Sequence, residues 1–448
     1  MHGDRRILAV TRYTRRMGPP HSATLDTSIQ RVTVMGLGRF GGGFGAAQWW
    51  LDRGAHVLVT DQASPESLEE PVTRLRKHPQ ADHLRFHLGA HQESDFTDTD
   101  LVIANPAVPR PWDNRYLQAA WAAGVPVTTE IALATAHLDR RKVIGITGTA
   151  GKSTTAAMTH HLLTGCGRRS LLAGNIGGSL LSCLEEAETA DVIVLELSSA
   201  MLWWLGATED APPDAPHWSP SIAVTTNIEP NHLDWHGDQA HYRACKLGIG
   251  RHQRDGDHVV LDVDATEVLP LSVPGVHNQR NAQLALAAAM RLGSVERSDA
   301  IAALSTFPGL PHRLERLDVP GSHLFFNDSK STTPGATALA VDAMPDASRV
   351  HLIVGGYDKG IPLESLVECS RSIAGVYTIG ATGPALAADT GGIDCGTLEA
   401  AVACALSRMQ DDDVLLLSPG CASWDQFDNY EQRGDRFRTA VQSLTASP

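Results

Sequence analysis

The chain has 448 residues, 42% hydrophobic and 20% charged, with a formal net charge of −14. This composition fits a globular protein of about three domains, and the acidic balance argues against nucleic acid or an anionic membrane as a general partner. Seven widely spaced cysteines without a C-x-x-C pair point to a reducing cytoplasm, and to neither a disulfide framework nor a zinc site. No apolar run approaches the roughly 20 residues that span a bilayer.

Residues 1–30 read as an appendage. Arg5, Arg6, Arg12, Arg15 and Arg16 sit there in a stretch with little apolar periodicity. The apolar piece Ile7 to Val10 is too short for a signal-peptide core. A disordered basic arm, or a start codon placed too early, is the expectation, with no function assigned.

A first domain is expected over 31–140. Arg31 to Met35 reads as a buried strand, followed by Gly36-Leu37-Gly38-Arg39-Phe40-Gly41, a helix from about Gly45 to Asp52, and a strand ending at Asp61. This is G-x-G-x-x-G between strand and helix, with an acid about twenty residues on. An NAD(P) dehydrogenase and another nucleotide-diphosphate site both satisfy it, because the glycines recognise a pyrophosphate rather than a nicotinamide. Strands at Leu84 to Leu88, Leu101 to Ala104 and Val125 to Thr128 alternate with helices at Asn114 to Ala123 and Glu130 to His137. Such alternation predicts an open, mostly parallel sheet.

A central domain is expected over 141–308. Val143 to Thr147 is a strand, and Gly148-Thr149-Ala150-Gly151-Lys152-Ser153-Thr154 leads to a helix over Ala156 to Leu163. Glycines there let backbone N–H groups converge on phosphate oxygens, and the helix N-terminus adds positive potential. Lys152 reaches the outer phosphates, and the Ser153 hydroxyl is placed to ligate Mg²⁺. The strict motif wants glycine where Ile146 stands, so Gly148 must supply the turn. Asp191 to Leu197 is an apolar strand containing Glu196, a carboxylate that is costly to bury unless it is paired or holds a cation. Ser221 to Thr226 runs into a loop carrying His232 and Asp234. Lys246, on a helix from Tyr242 to about Gly250, reads by spacing alone as an exposed lysine. The insert Thr208 to Pro220 is proline-rich and expected to be a surface loop. Asn278 and Asn281, three apart on the first turn of an alanine-rich helix, share one face, as caps or as ligand contacts.

A C-terminal domain is expected over 309–448, after the turn Phe307 to Pro311. Strands Leu324 to Asn327, Val350 to Val354 and Val414 to Leu417 each end in a cluster of polar residues. These clusters hold Asp328, Lys330 and Thr332, then Lys359, then Ser423, with Tyr430 opening a last helix. Three polar clusters at the carboxyl ends of one sheet mark a binding site. The fold class is therefore α/β.

Together, T-G-T-A-G-K-S-T, G-N-I-G, E-L-S-S, N-H-L-D, Y-R-A-C-K, H-N-Q-R-N, P-H-R-L-E, N-D-S-K-S-T, G-G-Y-D-K-G and S-P-G-C-A-S-W-D-Q-F-D-N-Y-E-Q-R-G resemble the Mur ligase family over Arg31 to Phe437. The last block is similar to the glutamate-adding branch. The resemblance implies Rossmann-like first and last domains and a P-loop ATPase domain between them. It also implies an ATP-dependent ligase that joins glutamate, D-glutamate in the ordinary cell-wall pathway, to UDP-N-acetylmuramoyl-L-alanine through an acyl phosphate. Expected cofactors are ATP and Mg²⁺, and the expected state is a cytoplasmic monomer. On that resemblance Lys152, Glu196, His232 and Lys246 are catalytic. Ser153, Glu196, His232 and a carbamylated Lys246 hold metal. Gly148, Thr149, Gly151, Lys152, Ser153, Thr154, Asn278, Asn281, Arg313, Asp328 and Lys330 contact ATP. Gly38, Arg39, Phe40, Asp61, Gln62 and Asn175 contact the UDP substrate, and Thr332, Lys359, Ser423 and Tyr430 contact glutamate. A different amide ligase of the same fold, L-glutamate-adding or folylpolyglutamate-like, is the alternative, and an NAD-dependent dehydrogenase the remote one. Departures from the family pattern include Ala150 where asparagine is usual and Tyr430 where phenylalanine is common.

Overall fold

The computed structural model describes residues 29–37, 41–261, 263, 267–360 and 362–445. The expectations for residues 1–28 and for Gly38, Arg39 and Phe40 lie outside the described residues. Among the described residues, sixteen strands form three sheets, as expected of an α/β chain. They fall into two compact units. One comprises Met1–Asp264 with Gln283–Ala300, and the other Ala265–Ala282 with Ile301–Pro448.

The first unit holds two parallel sheets. Strands β1 (Arg31–Met35), β2 (His56–Asp61), β3 (Leu84–Leu88), β4 (Leu101–Ala104) and β5 (Val127–Thr128) pair in the order β3-β2-β1-β4-β5. Strands β6 (Val143–Thr147), β7 (Ser170–Gly174), β8 (Val192–Glu196), β9 (Ile222–Thr225) and β10 (His258–Val260) pair in the order β10-β9-β6-β8-β7. Every residue of β4, β6, β8 and β9 is buried. Parallel strands covered by helices on both faces need such continuous apolar runs. In each sheet the strand order reverses beside the strand that feeds a glycine loop: β1 in the first, β6 in the second. Ligands bind beyond the carboxyl ends of strands at such switch points.

Helix α1 (Gly42–Leu51) begins earlier than the sequence suggests, because Gly41 enters it in a left-handed conformation. Gly43 tolerates no side chain, since a Cβ there would lie 2.3 Å from the Gly36 carbonyl oxygen. Helices α2 (Arg115–Ala123), α3 (Glu130–Ala136) and α4 (Lys152–Gly165) follow. Asn114 and Thr129 cap α2 and α3 through their side chains. Further on lie α5 (Ser199–Trp204), α6 (Leu233–His236) and α7 (Gln239–Leu247).

The proline-rich insert is an irregular loop exposed at Glu209, Asp210, Pro213 and His217, but it is anchored at both ends. Thr208 and Ser219 are buried, and the Asp214 carboxylate accepts the Val127 N–H at 3.0 Å on the edge strand of the first sheet. Prolines suppress regular structure there, but the segment still fills space between elements.

The second unit holds β11 (Glu315–Arg316), β12 (Leu324–Asn327), β13 (Val350–Gly355), β14 (Gly375–Ile379), β15 (Ile393–Gly396) and β16 (Val414–Leu417). Their order is β11-β12-β16-β13-β14-β15, parallel except for β11 against β12. Helix α8 (Val276–Met290) starts ahead of the alanine-rich run, and Asn278 and Asn281 lie near its start. Helices α9 (Pro334–Asp342) and α10 (Tyr430–Thr445) complete the elements used below. No helix among the described residues is long and apolar enough to cross a membrane.

Candidate active site

The loop between β6 and α4 is a strand–turn–helix cradle. Gly148 has φ +145°, and a Cβ there would meet Thr226 Oγ1 at 1.9 Å, so only glycine fits. Gly151 caps α4 with φ 80°. Lys152 is the first helical residue, and its Nζ donates to the Thr149 carbonyl at 2.9 Å. Ser153 and Thr154 follow it, half-buried, in the first turn.

Residues after β9 pin the cradle. Asn227 Oδ1 accepts the N–H groups of Thr149 (3.1 Å) and Ala150 (2.8 Å). The Thr226 hydroxyl donates to the Ala150 carbonyl at 2.5 Å. Position 150 lacks the usual amide, but the amide of Asn227 holds the same loop from outside. Thr149 Oγ1 also lies 2.9 Å from the Tyr242 hydroxyl. Nothing in the local sequence singled out Asn227 or Tyr242, because their partners are about 80 to 90 residues away.

Two charged side chains are buried beside the cradle. Glu196 ends β8 at 2% exposure. One of its oxygens, Oε1, accepts from Asn175 Nδ2 at 2.9 Å, while the buried Oε2 has no donor among the described residues. Burying a carboxylate oxygen unpaired is costly, so this oxygen fits a cation ligand. Lys246 is not the exposed helix lysine that its spacing suggests. It is 2% exposed, and its Nζ donates to the Gly148 carbonyl at 2.6 Å. Burial, and then repulsion from Lys152, push its pKa down to about 7. His232 is exposed, with a left-handed φ of 51° at the start of α6, and its ring lies 6.3 Å from that of Tyr242.

In the first sheet, the Asp61 oxygens accept the N–H groups of Leu37 and Ala63, both at 2.8 Å, so this acid shapes the glycine loop. Gln62 is exposed beside it. Asn175, expected at the muramoyl group, donates its Nδ2 to Glu196.

In the second unit the three polar clusters converge, because β12, β16 and β13 are neighbours in the sheet. Gly420 N–H donates to the Ser331 carbonyl at 3.0 Å, and Tyr357 N–H to the Ala422 carbonyl at 2.9 Å. Asp328 is buried and accepts the hydroxyls of Ser331 (2.5 Å) and Ser418 (2.8 Å) and the Leu314 N–H (3.1 Å). Burial outweighs these donors and raises its pKa to about 6. Lys330 Nζ donates to the Tyr430 hydroxyl at 3.0 Å. Lys359 Nζ lies 5.3 Å from the Trp424 ring centroid, Thr332 is half-buried, and Ser423 is 2% exposed. Arg313 is exposed one residue before Leu314. Asn278 and Asn281 are both buried on α8, and Asn278 Nδ2 donates to the Pro274 carbonyl at 2.7 Å.

Sequence reasoning missed Arg433, which joins two of these loops. Its guanidinium, on a residue 1% exposed, donates to Ser329 Oγ (3.0 Å), the Ser329 carbonyl (2.8 Å) and the Cys421 carbonyl (3.1 Å). Burial lowers its pKa to about 10. Arg433→Ala is expected to destabilise the protein by about 3 kcal/mol, because buried acceptors lose their donor and a large cavity opens. Urea unfolding checks this; a change within about 0.5 kcal/mol, the level of an ordinary surface substitution, would contradict it.

The family model for the Mur ligase middle domain matches residues 146–269. The UDP-N-acetylmuramoylalanine--D-glutamate ligase of Geobacter metallireducens is 32% identical, over 94% of this chain and 99% of that protein. The enzyme of the same name from a Geobacillus species is 33% identical, over 93% of this chain and 98% of that protein. Among solved structures, the UDP-N-acetylmuramate-alanine ligase of Thermotoga maritima superposes with a TM-score of 0.55 at 18% identity, over 92% of this chain and 99% of that one. A ligase from Acinetobacter baumannii that joins D-alanyl-D-alanine also gives 0.55, at 16% identity and 98% coverage of both chains. A cradle built around Gly148 and Lys152, with relatives a third identical along nearly the whole length, settles the kinship: the chain belongs to the Mur ligase family.

Proposed function

We propose that this chain is an ATP-dependent ligase that adds D-glutamate to UDP-N-acetylmuramoyl-L-alanine in peptidoglycan precursor synthesis. The names of its full-length relatives support this reading. The observation that carries the chemistry is the pair of buried charges at the phosphate cradle, Glu196 with an unpartnered oxygen and Lys246 against the Gly148 carbonyl.

ATP phosphorylates the carboxylate of the UDP substrate. The glutamate amine then attacks the acyl phosphate, a tetrahedral intermediate forms, and phosphate leaves. Such transfers depend on positioning and on neutralising phosphoryl oxygens. Mg²⁺, when bound, supplies part of that neutralisation; Ser153, Glu196, His232 and a carbamylated Lys246 are the residues that would hold it. Lys152 supplies a further positive charge, and Gly148, Thr149, Gly151 and Thr154 line the phosphates. Asn278, Asn281, Arg313, Asp328 and Lys330 contact the nucleotide. Thr332, Lys359, Ser423 and Tyr430 take glutamate, with the Lys359 ammonium facing a carboxylate. Asp61, Gln62 and Asn175 remain the described candidates for the UDP substrate. A monomer working in the cytoplasm completes the reading.

ATP-dependent phosphate release is expected with UDP-N-acetylmuramoyl-L-alanine and D-glutamate, and not with L-glutamate. Release with L-glutamate alone would keep the chemistry and overturn the enantiomer. Folded protein that releases phosphate with neither would overturn the substrate assignment.

A further inference from the structure

We propose that His236, His241 and Cys245 form a three-ligand site for a zinc-class divalent ion, distinct from the phosphate cradle. The site rests on the geometry of α6 and α7 and does not depend on which ligation reaction the chain performs. Cysteine spacing alone argues against zinc, because no C-x-x-C pair exists. The fold changes that. Asp238 caps α7 by accepting the His241 N–H at 2.8 Å, which sets the turn between the two helices. His241 and Cys245, four apart, then share one face of α7, and His236 is turned toward them from α6.

One ligand atom from each of the three side chains lies within 4.8 Å of the other two. His236 Nδ1 is 3.0 Å from His241 Nδ1 and 3.9 Å from Cys245 Sγ. Around a tetrahedral zinc, with bonds of about 2.0 to 2.3 Å, ligand atoms sit roughly 3.3 to 3.6 Å apart. Small side-chain rotations close that difference.

The outer nitrogens are already held. His236 Nε2 lies 2.9 Å from Ser199 Oγ, and His241 Nε2 lies 3.2 Å from the Asp210 carboxylate. A partner on the far nitrogen fixes the ring and turns the near nitrogen toward the metal. His236 and Cys245 are buried at 3% and 0% exposure. Trp235 and Trp112 pack on the two imidazoles, at 4.4 Å and 4.8 Å between ring centroids. An open cleft of about 640 Å³, lined by His241, Thr208, Asp210 and Arg251, borders the cluster on its His241 side. Two imidazoles and a thiolate suit zinc and disfavour magnesium, which prefers oxygen ligands.

The test titrates metal-stripped, full-length protein with Co²⁺ in excess Mg²⁺. One equivalent is expected to give a thiolate-to-cobalt charge-transfer band with tetrahedral d–d bands, both displaced by Zn²⁺. Cys245→Ser should abolish the charge-transfer band, while Cys369→Ser and Glu196→Gln should keep it. His241→Ala should weaken Zn²⁺ binding by at least about tenfold. Absence of the band in the unmutated protein overturns the site and leaves a hydrogen-bonded histidine pair. A band that survives Cys245→Ser, or unchanged affinity in His241→Ala, overturns it as well.

Discussion

Lys246→Ala is expected to lower the rate of phosphate release by about 10³-fold, the scale of removing a preorganised charge from a transition state. The reason lies in its burial. Desolvation, and then repulsion from Lys152, bring the amine down to about pH 7 against the opposing pull of Cys245 and Glu196. Near neutrality much of it is therefore uncharged, and an uncharged amine can add CO₂, its nitrogen bonding the carbon and releasing one N–H proton to solvent. The resulting carbamate is an anionic oxygen donor close to Glu196. Added acetate should restore part of the lost rate by replacing that carboxylate. The intact mass of the unmutated protein should carry one CO₂ adduct that Lys246→Ala lacks. Full activity in the alanine variant would overturn the role, and activity without the adduct would overturn the carbamate.

The same burial has a stability consequence. The folded pKa lies below the unfolded value, so between about pH 10 and pH 7 the unfolded chain takes up a proton that the folded chain does not. Stability is therefore lost as pH falls through that window and levels off below it. Lys246→Met removes this cost and leaves the Gly148 carbonyl without its donor. The net expectation at neutral pH is a gain of about 2 kcal/mol in CO₂-free buffer, together with loss of activity. A methionine variant less stable than the parent in urea would contradict it.

Glu196→Gln is expected to lower the rate by about 10²-fold and to raise the Mg²⁺ concentration needed for half-maximal rate. Glutamine matches the shape, and its carbonyl can still accept from Asn175, as Oε1 does now. The change therefore isolates the negative charge and the unpartnered Oε2. Because the substitution is isosteric, the melting temperature should change little. An unchanged Mg²⁺ response would remove Glu196 from the metal role.

Strands and their order of use were legible where packing demands continuous apolar runs. Leu84–Leu88, Leu101–Ala104, Leu324–Asn327 and Val414–Leu417 have the limits that the residues suggest. Ser170–Gly174 and Ile393–Gly396, at sheet edges where fewer neighbours impose a pattern, were not singled out, and neither was Gly375–Ile379, an inner strand of the last sheet. Helix starts were less legible: α4 begins at Lys152 rather than near Ala156, because the polar first turn of a phosphate-binding helix carries no apolar period. The dinucleotide fingerprint around Gly36 to Gly41 left a dehydrogenase open, and only membership of the Mur ligase family removed it. A pyrophosphate loop looks the same whatever is attached to the phosphates.

The sequence by itself determined the alternation of strands and helices, the glycine turn at Gly148, the position of Lys152 between a strand and a helix, and the three polar strand ends of the last sheet. Each is a property of neighbours along the chain, which period and turn chemistry encode. Tertiary structure decided which charges are buried and what they meet. Lys246 faces a carbonyl 98 residues away, Asn227 clamps a loop 77 residues away, and Arg433 ties down a strand end 104 residues away. The same packing turned His236 toward His241 and Cys245. Desolvation and hydrogen-bond satisfaction arise only when distant elements close over a side chain, so the strongest electrostatic features of this protein have no local signature.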